Sequence, residues 1–185
     1  MKRLVSLAAI CLVLAGCGGK NAELQRAMDL RAQLLVSSCS FDTEITADYG
    51  DEIYTFSVTC EADSTGRLEF LVTGPEFISG ITGVADDEGG KLTFSDTALA
   101  FPLLADGQLS PASGPYILLK TLRGGYLTAA GMEDELLRLT IDDSYDEDAL
   151  TLDIWLNEAD RPVRGEILYD GRRILTMTVE NFQIL

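Results

Sequence analysis

Histidine is absent from the 185-residue sequence. Without it there is no Ser-His-Asp or Cys-His nucleophile, no usual zinc ligand set and no general base of the commonest kind near neutral pH. Most hydrolase chemistry is excluded, and neither catalytic residues, a bound metal nor a cofactor is expected. Basic residues are scarce: 14 Lys plus Arg stand against 30 Asp plus Glu. So acidic a surface repels nucleic-acid phosphates and anionic headgroups at long range, which argues against nucleic acid as a partner. Long apolar runs are lacking too, since the longest, Leu4 to Leu14, has 11 mostly apolar residues where a membrane-spanning helix needs about 20. What is present is 46% apolar residues, enough to fill the core of a single domain.

Met1, Lys2 and Arg3 followed by that short run have the form of an export signal. The run ends in Leu14-Ala15-Gly16-Cys17, which resembles the lipobox of bacterial lipoproteins. The resemblance implies cleavage after Gly16 and a diacylglycerol on the Cys17 thiol, completed by an N-acyl group such as palmitate. Ordinary signal-peptidase cleavage is the alternative. Two or more acyl chains hold a protein stably at a membrane where one does not, so the chain is expected in the cell envelope, extracytoplasmic and anchored to its own membrane. Residues 1–16 are then a signal peptide, 17–21 a lipidated tether and 22–185 one domain. Lys2 and Arg3 leave with the leader, so the mature charge is 12 − 30 = −18.

Leu24, Ala27, Met28, Leu34 and Leu35 recur at helical spacing from Ala22 to Val36, behind a candidate cap at Asn21. Two alternating stretches follow around Asp48-Tyr49-Gly50-Asp51. Pairing residues whose numbers sum to 99 puts Cys39 opposite Cys60, Phe41 opposite Val58 and Ile45 opposite Tyr54, with one apolar and one polar face. Facing cysteines in an oxidising compartment predict a Cys39–Cys60 disulfide, two buried free thiols being the alternative. Alternation continues through Leu68, Phe70 and Val72, then past Gly74-Pro75 to Ile81, and through Leu92 and Phe94. Leu99 to Leu104 reads as a buried strand, and Tyr116 to Leu122 as a short helix. Leu137, Leu139 and Ile141 opposite Ile154, Leu152 and Leu150 open a terminal meander, whose last turn is predicted as the three-residue loop Asp170-Gly171-Arg172.

The lipobox, the helix running into a hairpin, the short helix after Ser110-Pro111 and the meander ending at Asn181-Phe182 together resemble the LolA-like half-barrel family. That family includes LolA and LolB, the mycobacterial lipoproteins LprG and LppX, and the amino-terminal domain of RseB. The resemblance is carried by Leu30 to Tyr49, Gly66 to Gly83, Leu150 to Pro162 and Glu166 to Phe182. It implies an α+β fold, a strongly curved antiparallel sheet (half-barrel) with helices on the concave side, and an apolar cavity for acyl chains. The function expected is that of a membrane-anchored monomer binding a lipid, an acylated lipoprotein or another apolar envelope ligand in that cavity. Phe41, Ile45, Phe56, Val58, Phe70, Val72, Leu152, Ile154 and Ile167 would line the cavity. The same residues suit a packed core equally, in which case the domain is an envelope interaction or stress-sensing module working through a sheet edge or Trp155.

Other features have plainer readings. Asp142, Asp143, Asp146, Glu147 and Asp148 form an acidic hairpin tip that lacks the glycine and final glutamate of a calcium loop. Asp86-Asp87-Glu88 reads as another solvated turn. Arg161, Arg164, Arg172 and Arg173 are expected to balance neighbouring acids, and Trp155 to be covered by a helix or loop.

Overall fold

The computed structural model describes residues 19–95, 97–101, 104–105, 108–146 and 149–185. The leader, Cys17, Glu147 and Asp148 lie outside the described residues. Helix α1 spans Gly19–Leu34, starting ahead of the expected cap at Asn21. Its apolar stripe is divided: Ala27, Leu30 and Leu34 are buried, whereas Leu24, Met28 and Leu35 are about half exposed.

Six strands follow as a meander: β1 Cys39–Asp48, β2 Ile53–Ala62, β3 Leu68–Gly74, β4 Thr82–Asp86, β5 Gly89–Phe94 and β6 Thr97–Phe101. Two short strands, β7 Leu104–Ala105 and β8 Gln108–Leu109, lead to helix α2, Gly114–Gly124. A second meander returns through β9 Tyr126–Glu133, β10 Leu136–Asp142, β11 Leu150–Leu156, β12 Pro162–Tyr169 and β13 Arg172–Ile184. The last strand pairs with β1, so the two meanders form one antiparallel sheet of order β6-β5-β4-β3-β2-β1-β13-β12-β11-β10-β9. The fold is α+β as expected, but the sheet is not strongly curled and remains open, with β6 and β9 as its edges. The helices pack chiefly on β9, β10 and β12, so little draws the β4–β6 end inward.

α2 buries every residue but Lys120 and Gly124. Its seat on the sheet depends on glycine: a Cβ on Gly165 would stand 2.5 Å from Leu118 Cδ1. Leu118 is fully buried there, amid Leu152, Ile154 and Ile167 of the common core.

Two expected pairings shift by two residues while their side chains keep their faces. β1 and β2 pair with a sum of 101, placing Cys39 opposite Ala62, Phe41 opposite Cys60 and Ile45 opposite Phe56. The cause lies in the turn. Asp48 Oδ1 accepts the Gly50 N–H, Gly50 takes a positive φ, and the Tyr49 N–H donates to Glu52 O, which centres the turn one residue later. β10 and β11 shift likewise, to Leu139 opposite Ile154, because the Asp143 N–H donates to the Leu150 carbonyl while the Asp143 carboxylate accepts the Leu150 N–H. At the final turn the two-residue Asp170-Gly171 loop is used, with positive φ at both positions as a type I′ turn requires. An irregularity between Ile167 and Leu168 restores Ile167 opposite Leu175 and leaves Ile174 as the additional residue of β13.

Candidate functional site

The residues expected around a cavity lie together in the core. Phe41, Ile45, Val58, Phe70, Val72, Leu152, Ile154 and Ile167 are buried, and Phe56 packs against them partly buried. Register extends this face outward: Phe70 pairs with Gly83, Gly83 with Leu92 and Leu92 with Leu99, while Gly90 pairs with Phe101. Leu92, Phe94, Leu99 and Phe101 therefore share the face that elsewhere forms the core. Here it meets water. Leu99 is 64% and Phe94 53% exposed, which corrects the expectation of a buried strand over Leu99 to Leu104. Two aromatic rings lie flat on this end of the sheet because the strand beneath carries glycine. A Cβ on Gly83 or on Gly90 would approach within 2.1 Å of the Phe70 or the Phe101 ring.

Beside this apolar end, a cleft of about 510 Å³ opens between the carboxyl ends of α1 and α2 and the β2–β3 and β4–β5 turns. Leu35, Gly66, Arg67, Asp87, Lys120 and Arg123 are among the residues that line it. Asp87 bridges the turn to α2, accepting from the Tyr116 hydroxyl at 2.8 Å and pairing with Lys120 at 2.9 Å. These partners hold the Asp87 carboxyl below its ordinary range, Lys120 contributing most. Burial, aided by Asp87, raises the Tyr116 phenol well above its ordinary value. Arg123 is buried, at 7% exposed. Its Nη2 donates to the carbonyls of Asp63 at 2.9 Å and Ser37 at 3.4 Å, while Nε has no partner. Among the described residues no carboxylate forms an ion pair with it. A second cleft, of about 600 Å³, shares Arg67, Asp86 and Glu88 with the first and is walled by Val84, Lys91 and Ala100 on the opposite face of the sheet from Leu92 and Leu99.

Solved structures resemble this α+β sheet over most of the chain. One of them is described as a LolA superfamily protein from Nitrosomonas europaea, 9% identical with a TM-score of 0.44, the alignment covering 91% of this chain and 94% of the other. Another is a putative outer membrane lipoprotein-sorting protein domain from Vibrio parahaemolyticus, 9% identical, TM-score 0.48, covering 90% and 93%. The lipoprotein LppX from Mycobacterium tuberculosis is 14% identical, TM-score 0.42, covering 87% and 93%. No protein-family model matches the sequence, and no curated protein matches it.

Elsewhere the side chains have structural partners. Cys39 and Cys60 are buried free thiols on diagonal positions of β1 and β2, so the predicted disulfide is corrected by the two-residue change of register. Burial raises both thiols, and Asp42 and Cys39 add to the effect at Cys60. Trp155 is covered as expected, though by neither helix nor loop: the guanidinium carbons of Arg164 and Arg138 lie 4.4 and 5.3 Å from its ring. The same arginines reach Glu166 and Asp153, both buried on the outer face, and Arg173 joins Glu166 at 3.1 Å. Arg172 meets Asp48 at 3.6 Å. Within the acidic tip, Asp142 accepts from Thr151 and Asp143 from the Leu150 amide. Among the described residues no cluster of three or more metal-ligating side chains is formed, and no helix is long and apolar enough to cross a membrane. Sequence reasoning misses Arg123 and β9, and it reads Asp87 as a solvated turn residue without its tie to Tyr116 and Lys120.

Proposed function

We propose that the chain is a bacterial envelope lipoprotein, held at its membrane by lipid on Cys17, that binds the acyl portion of a lipid or acylated lipoprotein. It does so without cofactor or covalent chemistry. The observation that carries this reading is the uncovered apolar end of the sheet. Leu92, Phe94, Leu99 and Phe101 continue the core face, yet Leu99 and Phe94 stand in water. An acyl chain laid on them removes that area from water and stays continuous with the core. The ligand position is thus the open β5–β6 end of the face, with the nine core residues beneath and beside it.

The test is native mass spectrometry of the full chain carrying Cys17→Ser, recovered from its own envelope extract. An adduct of lipid mass that disappears in Leu99→Asp is expected. An unadorned mass that persists after incubation with envelope lipids overturns the reading. One observation favours a second role: edge strand β6, Thr97–Phe101, carries neither charge nor proline to block pairing with another strand. On that view a protein partner adds a strand there, and pull-down of a partner by the lipid-free chain, lost with Ala98→Pro, supports it. Trp155, enclosed by two arginines, is removed from that role.

A further inference from the structure

We propose that the cleft at the carboxyl end of α2 receives a phosphate-bearing headgroup, with Arg123 as its anchoring cation. The inference deepens the lipid-binding reading and rests on it. Three cationic side chains line this cleft, and two are already matched: Lys120 by Asp87 and Arg67 by Glu69. Arg123 is the exception, buried, bonded only to backbone carbonyls and carrying an Nε without a partner. Burying a guanidinium without a counter-charge is costly, and such groups are ordinarily paired. An anion entering the cleft supplies the missing charge. With Nη2 engaged by the two carbonyls, Nη1, beside the cleft-lining Gly66, is left to donate a charge-assisted bond to a phosphate oxygen.

Position connects this cleft to the apolar face. The β4–β5 turn that borders the cleft runs directly into β5, whose Gly90, Leu92 and Phe94 lie on the apolar face. From Gly90 the apolar track along β5 to Phe94 is about 13 Å long at ~3.3 Å per residue. Leu35, 54% exposed, borders the cleft on the α1 side. A headgroup at Arg123 thus leaves its acyl chains beside Phe101, Leu92 and Leu99.

The acidic rim of Asp86, Asp87 and Glu88 and the overall negative charge oppose an approaching anion. That opposition acts through solvent and is screened within about 10 Å at ~0.1 M salt, whereas a buried contact is screened far less. A distinctive salt response follows: affinity for the anionic lipid holds or rises between about 50 and 200 mM salt, the reverse of binding by exposed cations.

The experiment is isothermal titration of the full chain carrying Cys17→Ser with dioctanoyl phosphatidic acid, with dioctanoylglycerol and with inorganic phosphate. Phosphatidic acid is expected to bind about tenfold tighter than the diacylglycerol, equivalent to ~1.4 kcal/mol. Arg123→Gln should erase that preference and Arg123→Lys retain part of it. Should Arg123→Gln fail to fold, competition on the unaltered site decides, since inorganic phosphate should displace phosphatidic acid and leave diacylglycerol bound. Equal affinity for the two lipids overturns the headgroup site while sparing the acyl-binding reading. A preference that survives in folded Arg123→Gln overturns the role of Arg123. Binding of neither lipid overturns the lipid reading itself, and Arg123-dependent binding of inorganic phosphate alone supports the anion site while assigning it to a free anion.

Discussion

Leu99→Ser separates an apolar residue that awaits a ligand from one that holds the fold. Full burial of a leucine side chain contributes about 1.5–3 kcal/mol, and 64% of Leu99 remains in water. An acyl chain that covers it gains roughly the same fraction, ~1–2 kcal/mol. Loss of that contact should weaken binding of dioctanoylglycerol about 5- to 30-fold. The fold should scarcely notice, because a substitution at an exposed edge away from the core ordinarily changes stability by less than ~0.5 kcal/mol. Two assays read the two quantities: isothermal titration for the lipid and urea unfolding of the same preparation for the domain. A drop in stability of about 2 kcal/mol or more would mean that Leu99 belongs to the core and that its exposure has been misread. Unchanged lipid affinity in a fully folded variant would remove the acyl chain from this face and with it the proposed function.

The contrasting substitution is Leu118→Ala, which empties a fully buried site on α2 and should cost about 2–5 kcal/mol in urea unfolding. Gly165→Ala, whose Cβ meets Leu118 at 2.5 Å, should cost ~1–3 kcal/mol by overpacking, and more of that should be recovered in the Gly165→Ala/Leu118→Ala pair than additivity allows. Asp87→Asn tests the tie between the β4–β5 turn and α2. Because the folded state holds this carboxyl below its unfolded value, the unfolded chain binds more protons, so the contribution is complete above the ordinary carboxylate range and is lost as pH falls through the lowered one. The variant should therefore show a shallower decline of Tm with acidification, and an identical slope would refute the tie. Cys39 and Cys60 should resist thiol reagents in the native chain and react once urea unfolds it, whereas an intact mass short of the fully reduced value would contradict the free thiols.

Alternation told which face each strand buries far better than which residues pair. A turn displaced by one residue moves the pairing sum by two, and because side chains alternate with a period of two, every residue keeps its face. Cys39 and Cys60 show the consequence: both were placed correctly on the buried face, yet the Asp48-capped turn sets them diagonally instead of opposite. Strand β9 escaped notice for a different reason. Ala129, Ala130 and Gly131 give little apolar contrast, and an edge strand needs little because only one neighbour holds it. Leu99 and Phe101 suit a buried strand because apolar residues in a row are ordinarily buried, but burial depends on what lies above the strand, and the helices cover the other half of the sheet. Arg123 has the weakest local signature of all, one arginine at the end of an apolar helix, the ordinary place for a basic residue beside the helix carboxyl end. Its significance arises only when the Asp63 and Ser37 carbonyls hold it in a cleft whose carboxylates, Asp86, Asp87 and Glu88, form no ion pair with it among the described residues. The core and its face were thus legible from periodicity, which is local, while the candidate site consists of what the fold leaves uncovered and unpaired, a property of the assembled chain that no window of the sequence contains.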